Sequence, residues 1–354
     1  MKILVGICGI GNGHVSRQTN VIDLLISKGN KIIIATTKNN IKYFKNKFSK
    51  IKVIEICIPW ISCSKNGINF KDSIKKYESR GIDQYKSFLN FSINVEKNFK
   101  DKPDIVITDY EPNVAKYSYA ENIPLICMEQ QSKFLYLKDI NIKKFSILEE
   151  QKRINFFFPK FDYKIISSFF PIKIKNEKVR IVTPIISKIN INPHKKNNIL
   201  VYFSPYDNSI NYIKVLKALN NIENFSIIVY TKEIFIQKNF NNIIFKKYSN
   251  KFKYDLENAY CLISTAGHQL ISESISINIP MYVIPLNTYE QNYNAKMIEK
   301  YHIGEIAKNI NKKEIQKFIK KVPFYISEIK KFRKKYYKND WQKELLKIIN
   351  NYNI

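Results

Sequence analysis

The sequence predicts an α/β protein built as two parallel-sheet halves, and three observations carry that prediction. Short, almost unbroken apolar runs alternate with longer amphipathic stretches. The series occurs twice, and polar and glycine residues collect directly after the runs. A strand that reads as continuous Val, Ile and Leu is buried on both faces, as in a parallel sheet covered by helices. At 354 residues the chain also exceeds the roughly 250–300 residues at which a single core stops growing.

The first series of strands is 2–8 "KILVGIC", 30–37 "NKIIIATT", 51–58 "IKVIEICI", 104–108 "DIVIT" and 123–128 "IPLICM". Between the first two, Val15, Val21, Ile22, Leu25 and Ile26 recur at helical spacing over 14–28. The second series is 198–204 "NILVYFS", 225–230 "FSIIVY", 242–246 "NIIFK", 260–264 "YCLIS" and 279–284 "IPMYVI". Helices are predicted over 209–220, 251–259, 267–277 and 290–300. The polar stretch 185–197 contains Pro193 and has no clear period, so the join falls there. The reading divides the chain into 1–187, a linker 188–197, a second unit 198–325 and a helical segment 326–354. Phe332, Tyr336, Trp341, Leu345, Ile348 and Ile349 give that last segment its apolar contacts. Residues 60–100 are aromatic-rich and less regular, consistent with an insertion or a lid on the substrate side.

Composition narrows the function classes. Apolar residues at 45% rule out a disordered chain. A formal charge of +29 would by itself suggest nucleic acid or an anionic membrane. The Lys, Asn and Ile bias runs along the whole chain, however, with no aromatic–glycine interleaving, so no specific nucleic-acid partner is expected. Peripheral association with an anionic membrane stays open. The five cysteines are scattered and lack a CxxC, which fits reduced thiols in a cytoplasmic protein and argues against a zinc site. The apolar runs fall short of the roughly twenty residues a membrane span requires.

In an open parallel sheet, ligands bind beyond the carboxyl ends of the strands. This directs attention to "GICGIGNGHVSRQ" (6–18), "TDYEP" (108–112), "EQQ" (129–131), "SPYDN" (204–208), "STAGH" (264–268) and "LNTYEQNYN" (286–294). The first loop fails as a dinucleotide cradle. Gly9 and Gly11 fit G-x-G-x-x-G, but the third position is His14, and the second strand ends in Thr36, Thr37 and Lys38 without an acid. No G-K-[ST] is present either. "STAGHQLISES" (264–274) is the better phosphate site: a small-residue turn opens a helix whose first N–H groups and dipole suit a pyrophosphate. Glu273, about two turns on, is placed for a ribose diol, although a solvated helix carboxylate would look the same.

The pattern S-x-x-G-x-x-x-x-x-E from Ser264, I-P-x-x-x-I-P from Ile279 and E-Q-x-x-N-A from Glu290 resembles the nucleotide-sugar half of GT-B glycosyltransferases. It is most similar to the MurG and UDP-glycosyltransferase-like group. "GIGNGHVSRQ" resembles that group's N-terminal G-x-G-G-H loop, and "IPLICMEQQ" its I-P-x-x-x-x-E-Q stretch. With "PDIVITDYEP" added, the chain also resembles an archaeal and bacterial family of glycosyltransferase-like proteins. The similarity runs over nearly the full length in one order. Two departures stand out: "SPYDN" replaces a glycine-rich turn, and His268 replaces a small or hydroxyl residue.

The resemblance implies a GT-B fold, with two Rossmann-like domains facing across a cleft and C-terminal helices packing back on the first. It implies sugar transfer from a nucleotide-diphosphate donor, a UDP-sugar foremost, to an acceptor hydroxyl on a glycan, a lipid-linked saccharide or a small molecule. Cell-surface glycan or glycolipid synthesis is one such setting. His14 is the candidate base, since an imidazole suits proton abstraction near neutrality, and Asp109 the carboxylate that fixes its tautomer. A helix-start histidine that only packs, and a turn carboxylate, are the plain alternatives. Gly11, Gly13, Glu129 and Gln130 fall on the acceptor side. The diphosphate is expected on the Ala266–His268 backbone beside Ser264 and Thr265, with His268 as a cationic partner. Glu273 takes the ribose; Glu290 and Gln291 take the sugar, with Asn294 alongside; Tyr248 lies near the base. A single base acting on direct displacement implies inversion. No Asp-x-Asp cluster is evident, so neither metal nor cofactor is expected, the nucleotide sugar being a co-substrate. A nucleotide-sugar hydrolase or epimerase on the same fold is the alternative, and a non-enzymatic nucleic-acid or membrane-surface binder a second.

Overall fold

The computed structural model describes residues 1–9, 12–56, 63–64, 67–68, 84–140, 142, 146–187, 197–203, 212–220, 222–231, 240, 242–249 and 251–352. The predicted second-unit turn "SPYDN", the residue Gly11 and nearly all of the proposed linker lie outside them. So does most of 60–83, the first part of the expected lid.

The first sheet contains β1 (Lys2–Ile7), β2 (Lys31–Thr36), β3 (Lys52–Glu55), β6 (Ile105–Asp109), β7 (Leu125–Glu129), β8 (Tyr163–Ser167) and β9 (Val179–Val182). Its order is β3-β2-β1-β6-β7-β8-β9, every pair parallel. A short antiparallel pair, β4 (Cys63–Ser64) and β5 (Gly67–Ile68), stands apart from it. Alternation along β1 assigns its two faces. Ile3, Val5 and Ile7 join one apolar cluster with Val21, Ile22 and Leu25 of α1 (Asn12–Ser27), whereas Leu4 joins another. That second face is covered by α3 (Gln84–Phe99), α4 (Pro112–Glu121) and α5 (Ile147–Phe157), following α2 (Lys38–Lys47). Gly6 lets α4 rest directly on β1, since a Cβ there would stand 2.7 Å from the Val114 side chain.

The second sheet has the order β12-β11-β10-β13-β14-β15, again parallel throughout. It is formed by β10 (Asn198–Tyr202), β11 (Ser226–Tyr230), β12 (Ile243–Lys246), β13 (Ala259–Ser264), β14 (Met281–Val283) and β15 (Gly304–Ile306). Ile199 and Val201 face α6 (Tyr212–Leu219) and α10 (Lys312–Tyr336). Leu200 and Leu262 face the side of α7 (Lys251–Glu257), α8 (His268–Ser276) and α9 (Tyr289–Lys300). This last cluster extends into the first unit through Phe134, Phe169 and Phe170, so apolar side chains bridge the two halves.

Helix α10 runs without a break through residues 325–326, where the sequence reading placed a boundary. The crossing comes later, after Tyr336, where Asp340 caps α11 (Trp341–Asn350) by accepting from the Gln342 amide at 2.8 Å. Trp341, Leu345, Ile348 and Ile349 then enter the apolar cluster of the first unit. Thr183 donates to the Asn339 carbonyl through both its amide and its hydroxyl, each at 2.9 Å. The C-terminal helix therefore packs on the N-terminal unit. Among the described residues no helix is long and apolar enough to cross a membrane.

Candidate active site

The loop after β1 is slim for a packing reason. A Cβ on Gly9 would stand 2.0 Å from the Thr37 hydroxyl at the end of β2, and one on Gly13 3.3 Å from Gln269 Cβ of α8. The second contact crosses between the two units, so Gly13 sets how closely α1 approaches α8. Gly13 thus shapes the cleft by close approach. The loop delivers His14 to the first turn of α1, where its side chain is 11% exposed.

The end of β6 meets it. Asp109 is fully buried, and its Oδ1 accepts from His14 Nδ1 at 2.8 Å. Arg17 lies one turn from His14 on α1 and grips the same carboxylate, with Nε 2.9 Å from Oδ2 and Nη2 2.8 Å from Oδ1. Gln18 donates to Oδ2 at 3.0 Å and to the Met128 carbonyl at 3.0 Å. Residues three and four apart share one helix face, so one stripe of α1 encloses one carboxylate. Burial alone would raise the Asp109 carboxyl. Arg17, then His14, outweighs it and holds the group at about 2. The ionised Asp109 fixes the proton on Nδ1, and among the described residues Nε2 has no partner. Arg17 and Gln18 escaped the sequence reading, although their spacing from His14 was a usable signal.

A strained turn puts Asp109 there. Tyr110 has a left-handed φ of 56°, which costs a non-glycine residue of order 1 kcal/mol. The Thr108 hydroxyl bridges it, accepting from the Glu111 amide at 3.0 Å and donating to the Glu111 carbonyl at 2.8 Å. The Glu111 carboxylate caps α4 by accepting from the Val114 amide at 2.6 Å. Burial raises the Glu111 carboxyl to about 7, against the amides and Asn113 that favour its charge. A carboxyl raised from 4.5 costs stability as pH climbs, by roughly 3 kcal/mol between pH 4.5 and about 7. Glu111→Gln should remove this dependence, gaining on the wild type from pH 5 to pH 8 in urea unfolding. A constant difference between the two proteins would show that Glu111 does not titrate in this range.

The acceptor-side pair behaves differently from expectation. Glu129 is fully buried and both its oxygens accept from the Ser132 amide, at 3.2 and 2.9 Å. It builds the 131–135 turn rather than facing a ligand. Gln130 spans the units: its Nε2 donates to Glu290 Oε1 on α9 at 2.7 Å, while its Oε1 accepts from Lys133 Nζ.

The donor-side residues divide into two groups. Ser264 Oγ donates to the Tyr202 carbonyl at 2.7 Å, which ties β13 to β10. Gln291 Oε1 accepts from the amides of Ala266 at 3.1 Å and Leu286 at 2.9 Å, and Asn294 Nδ2 donates to the Ala266 carbonyl at 3.0 Å. Gln291 and Asn294 therefore hold the loop in shape, and the Ala266 amide is already committed; both corrections follow from the need to satisfy buried backbone groups. Thr265 is buried beneath the turn. Gly267 remains as the N-cap of α8 with no side chain capping it. His268 is 3% exposed, neither of its ring nitrogens has a partner among the described residues, and its ring lies 5.4 Å from that of Phe169. Burial, then the charges of Lys133 and Arg17, hold this imidazole well below its ordinary value, so it is neutral and not the cation expected. Glu273 Oε1 accepts from Gln269 at 3.0 Å and from Ser16 of α1 at 3.2 Å. Half-exposed Tyr248 packs against the rings of Tyr202 and Phe252, at 5.8 and 5.3 Å. Among the described residues no cluster of three His, Cys, Asp or Glu side chains could hold a metal.

The two units and their cleft are similar to several solved enzymes. A UDP-glucosyltransferase from Polygonum tinctorium, capable of glucosylating indoxyl, superposes with a TM-score of 0.72 at 12% identity, covering 100% of this chain and 98% of that one. Acinetobacter baumannii MurG gives 0.64 at 15% identity, with 99% of each chain covered. A UDP-glucose: anthocyanidin 3-O-glucosyltransferase in complex with UDP gives 0.69 at 13%, covering 94% and 93%. No curated protein matches the chain. The architecture is that of a GT-B glycosyltransferase. Residues 1–323 match the family described as Glycosyl transferase family 1, and the chain belongs to that family. Its reaction is therefore glycosyl transfer.

Proposed function

We propose that the protein is an inverting glycosyltransferase using a UDP-sugar, with His14 as general base. The observation that carries this is the His14–Asp109 contact of 2.8 Å, which leaves Nε2 without a partner among the described residues. In the proposed step Nε2 takes the proton of an acceptor hydroxyl. The oxygen bonds to the anomeric carbon as the bond to the diphosphate oxygen breaks on the opposite face, inverting the centre. The amides of Gly267 and His268 receive the diphosphate. Glu273 exchanges its Ser16 contact for the ribose hydroxyls, Glu290 meets the sugar, and the Tyr248 ring lies under the uracil. The acceptor is a glycan, a lipid-linked saccharide or a small molecule; cell-surface glycan synthesis is the setting we favour.

Thermal unfolding with a panel of UDP-sugars tests the reading. At a hundredfold excess over Kd one member should stabilise the protein by about 2.7 kcal/mol, and Glu273→Ala should abolish the shift. No shift with any UDP-sugar would refute the donor assignment. Release of free or epimerised sugar without an acceptor would replace transfer by hydrolysis or epimerisation.

A further inference from the structure

His14 is held by a carboxylate that it shares with a cation. Asp109 Oδ1 takes His14 Nδ1 at 2.8 Å and Arg17 Nη2 at 2.8 Å, so one oxygen serves two donors. Those two nitrogens stand 3.1 Å apart, which puts the guanidinium directly against the imidazole. Arg17 Nε and Gln18 Nε2 take the other oxygen, at 2.9 and 3.0 Å. Both charged side chains are buried, so salt and water screen little of the field between them. Burial works against the guanidinium, but the Asp109 charge outweighs it and Arg17 stays cationic.

A lone carboxylate beside an imidazole favours the imidazolium, the form that cannot accept a proton. The arrangement here opposes that pull. Arg17 offsets the charge of Asp109 and repels a second ring proton. His14 also lies in the first turn of α1, where the helix dipole disfavours a cation. The charges on the other elements are committed elsewhere. Glu129 of β7 and Glu290 of α9 act on Arg17, but they bond the Ser132 amide and Gln130. Lys133 of the 131–135 turn also bonds Gln130. On α8, Glu273 is held by Gln269 and Ser16, and His268 is neutral. Among the described residues only Asp109 and Arg17 bring a hydrogen-bonding atom to the His14 ring.

We infer that Arg17 is a positioning residue for the base: by sharing the Asp109 carboxylate it lets Asp109 orient the His14 ring without locking a second proton onto it. This rests on the reading of His14 as the base. Asp109 alone would fix the ring equally well through Nδ1, but it would also favour the form with both nitrogens protonated. With Arg17 on the same oxygen, Nε2 stays open to the acceptor proton near neutral pH. After transfer the imidazolium, facing the guanidinium, passes that proton to water and the base is restored.

Titration of the histidine rings of the full chain by NMR tests the assignment, with the His14 signal identified by its loss in His14→Ala. Arg17→Gln, which keeps a donor but removes the charge, should raise the His14 midpoint by about one pH unit or more. Arg17→Lys, which keeps the charge, should stay closer to the wild type. In the wild type the Arg17 Nε–H signal should move with the His14 midpoint, because both groups donate to one carboxylate. That measurement decides alone if neither variant folds. An unchanged midpoint in folded Arg17→Gln overturns the inference, as does a wild-type Arg17 signal that ignores His14. Equal shifts in the two variants also overturn it, since the charge would then not be the cause. None of these readouts needs a substrate. They can therefore fail while His14→Ala kinetics still identify a base, and they can hold while those kinetics reject one.

Discussion

His14→Ala is expected to lower kcat by about 10²–10⁴-fold while leaving the affinity for UDP unchanged. The range is what a positioned general base contributes. The separation from binding follows from geometry: His14 projects from α1 of the first unit, whereas the donor is assigned to α8 of the second. Single-turnover kinetics beside UDP titration would measure both quantities. A fall in kcat of less than tenfold would remove His14 as the base. A loss of UDP affinity of similar size would make its role structural, through the approach of α1 to α8 at Gly13 and Gln269.

Asp109→Asn is expected to destabilise the protein by about 3–5 kcal/mol, the cost of leaving one member of a buried ion pair without its partner. The member left behind is Arg17, whose side chain is 1% exposed. Asparagine keeps the shape of the site and so isolates the charge. Arg17→Met in the Asp109→Asn background should restore part of the loss, because no buried charge then remains. Urea unfolding of the three variants at pH 7 gives the comparison, and an unchanged midpoint for Asp109→Asn would reject the account. The wild type carries a related pH signature. A carboxyl held at about 2 in the folded protein, against 3.8 when free, contributes its stability above pH 3.8. That contribution, roughly 2 kcal/mol, is lost as pH falls from 3.8 towards 2.

Much of the fold could be read from the chain because its strands announce themselves. β1, β2, β6, β7, β10, β11 and β13 are each buried on both faces along their centres and carry polar residues only at their ends, so nothing blurs the apolar run. Two of the four edge strands, β3 and β12, were legible, but β9, "VRIV", and β15, "GEI", were not: each is only three or four residues long and interrupted by a charged residue, Arg180 or Glu305. β8 went unrecognised because Lys164 interrupts it, and its buried ammonium is accommodated by Ser132 and by aromatic rings from elsewhere in the chain.

By itself the sequence determined the two parallel-sheet units, the positions of the ligand-facing loops, and the residue types able to carry sugar transfer. Those follow from periodicity, from glycine and proline placement, and from side-chain chemistry, all of them local. The tertiary structure alone decided which candidates face the cleft. It turned Glu129, Ser264, Gln291 and Asn294 into supports, made His268 neutral, and enclosed Asp109 between His14, Arg17 and Gln18. The reason is that a buried polar group must find partners, and its charge state depends on burial and on charges close to it in space. Those neighbours lie up to 257 positions away along the chain, as Ser16 and Glu273 do, so no local pattern records them.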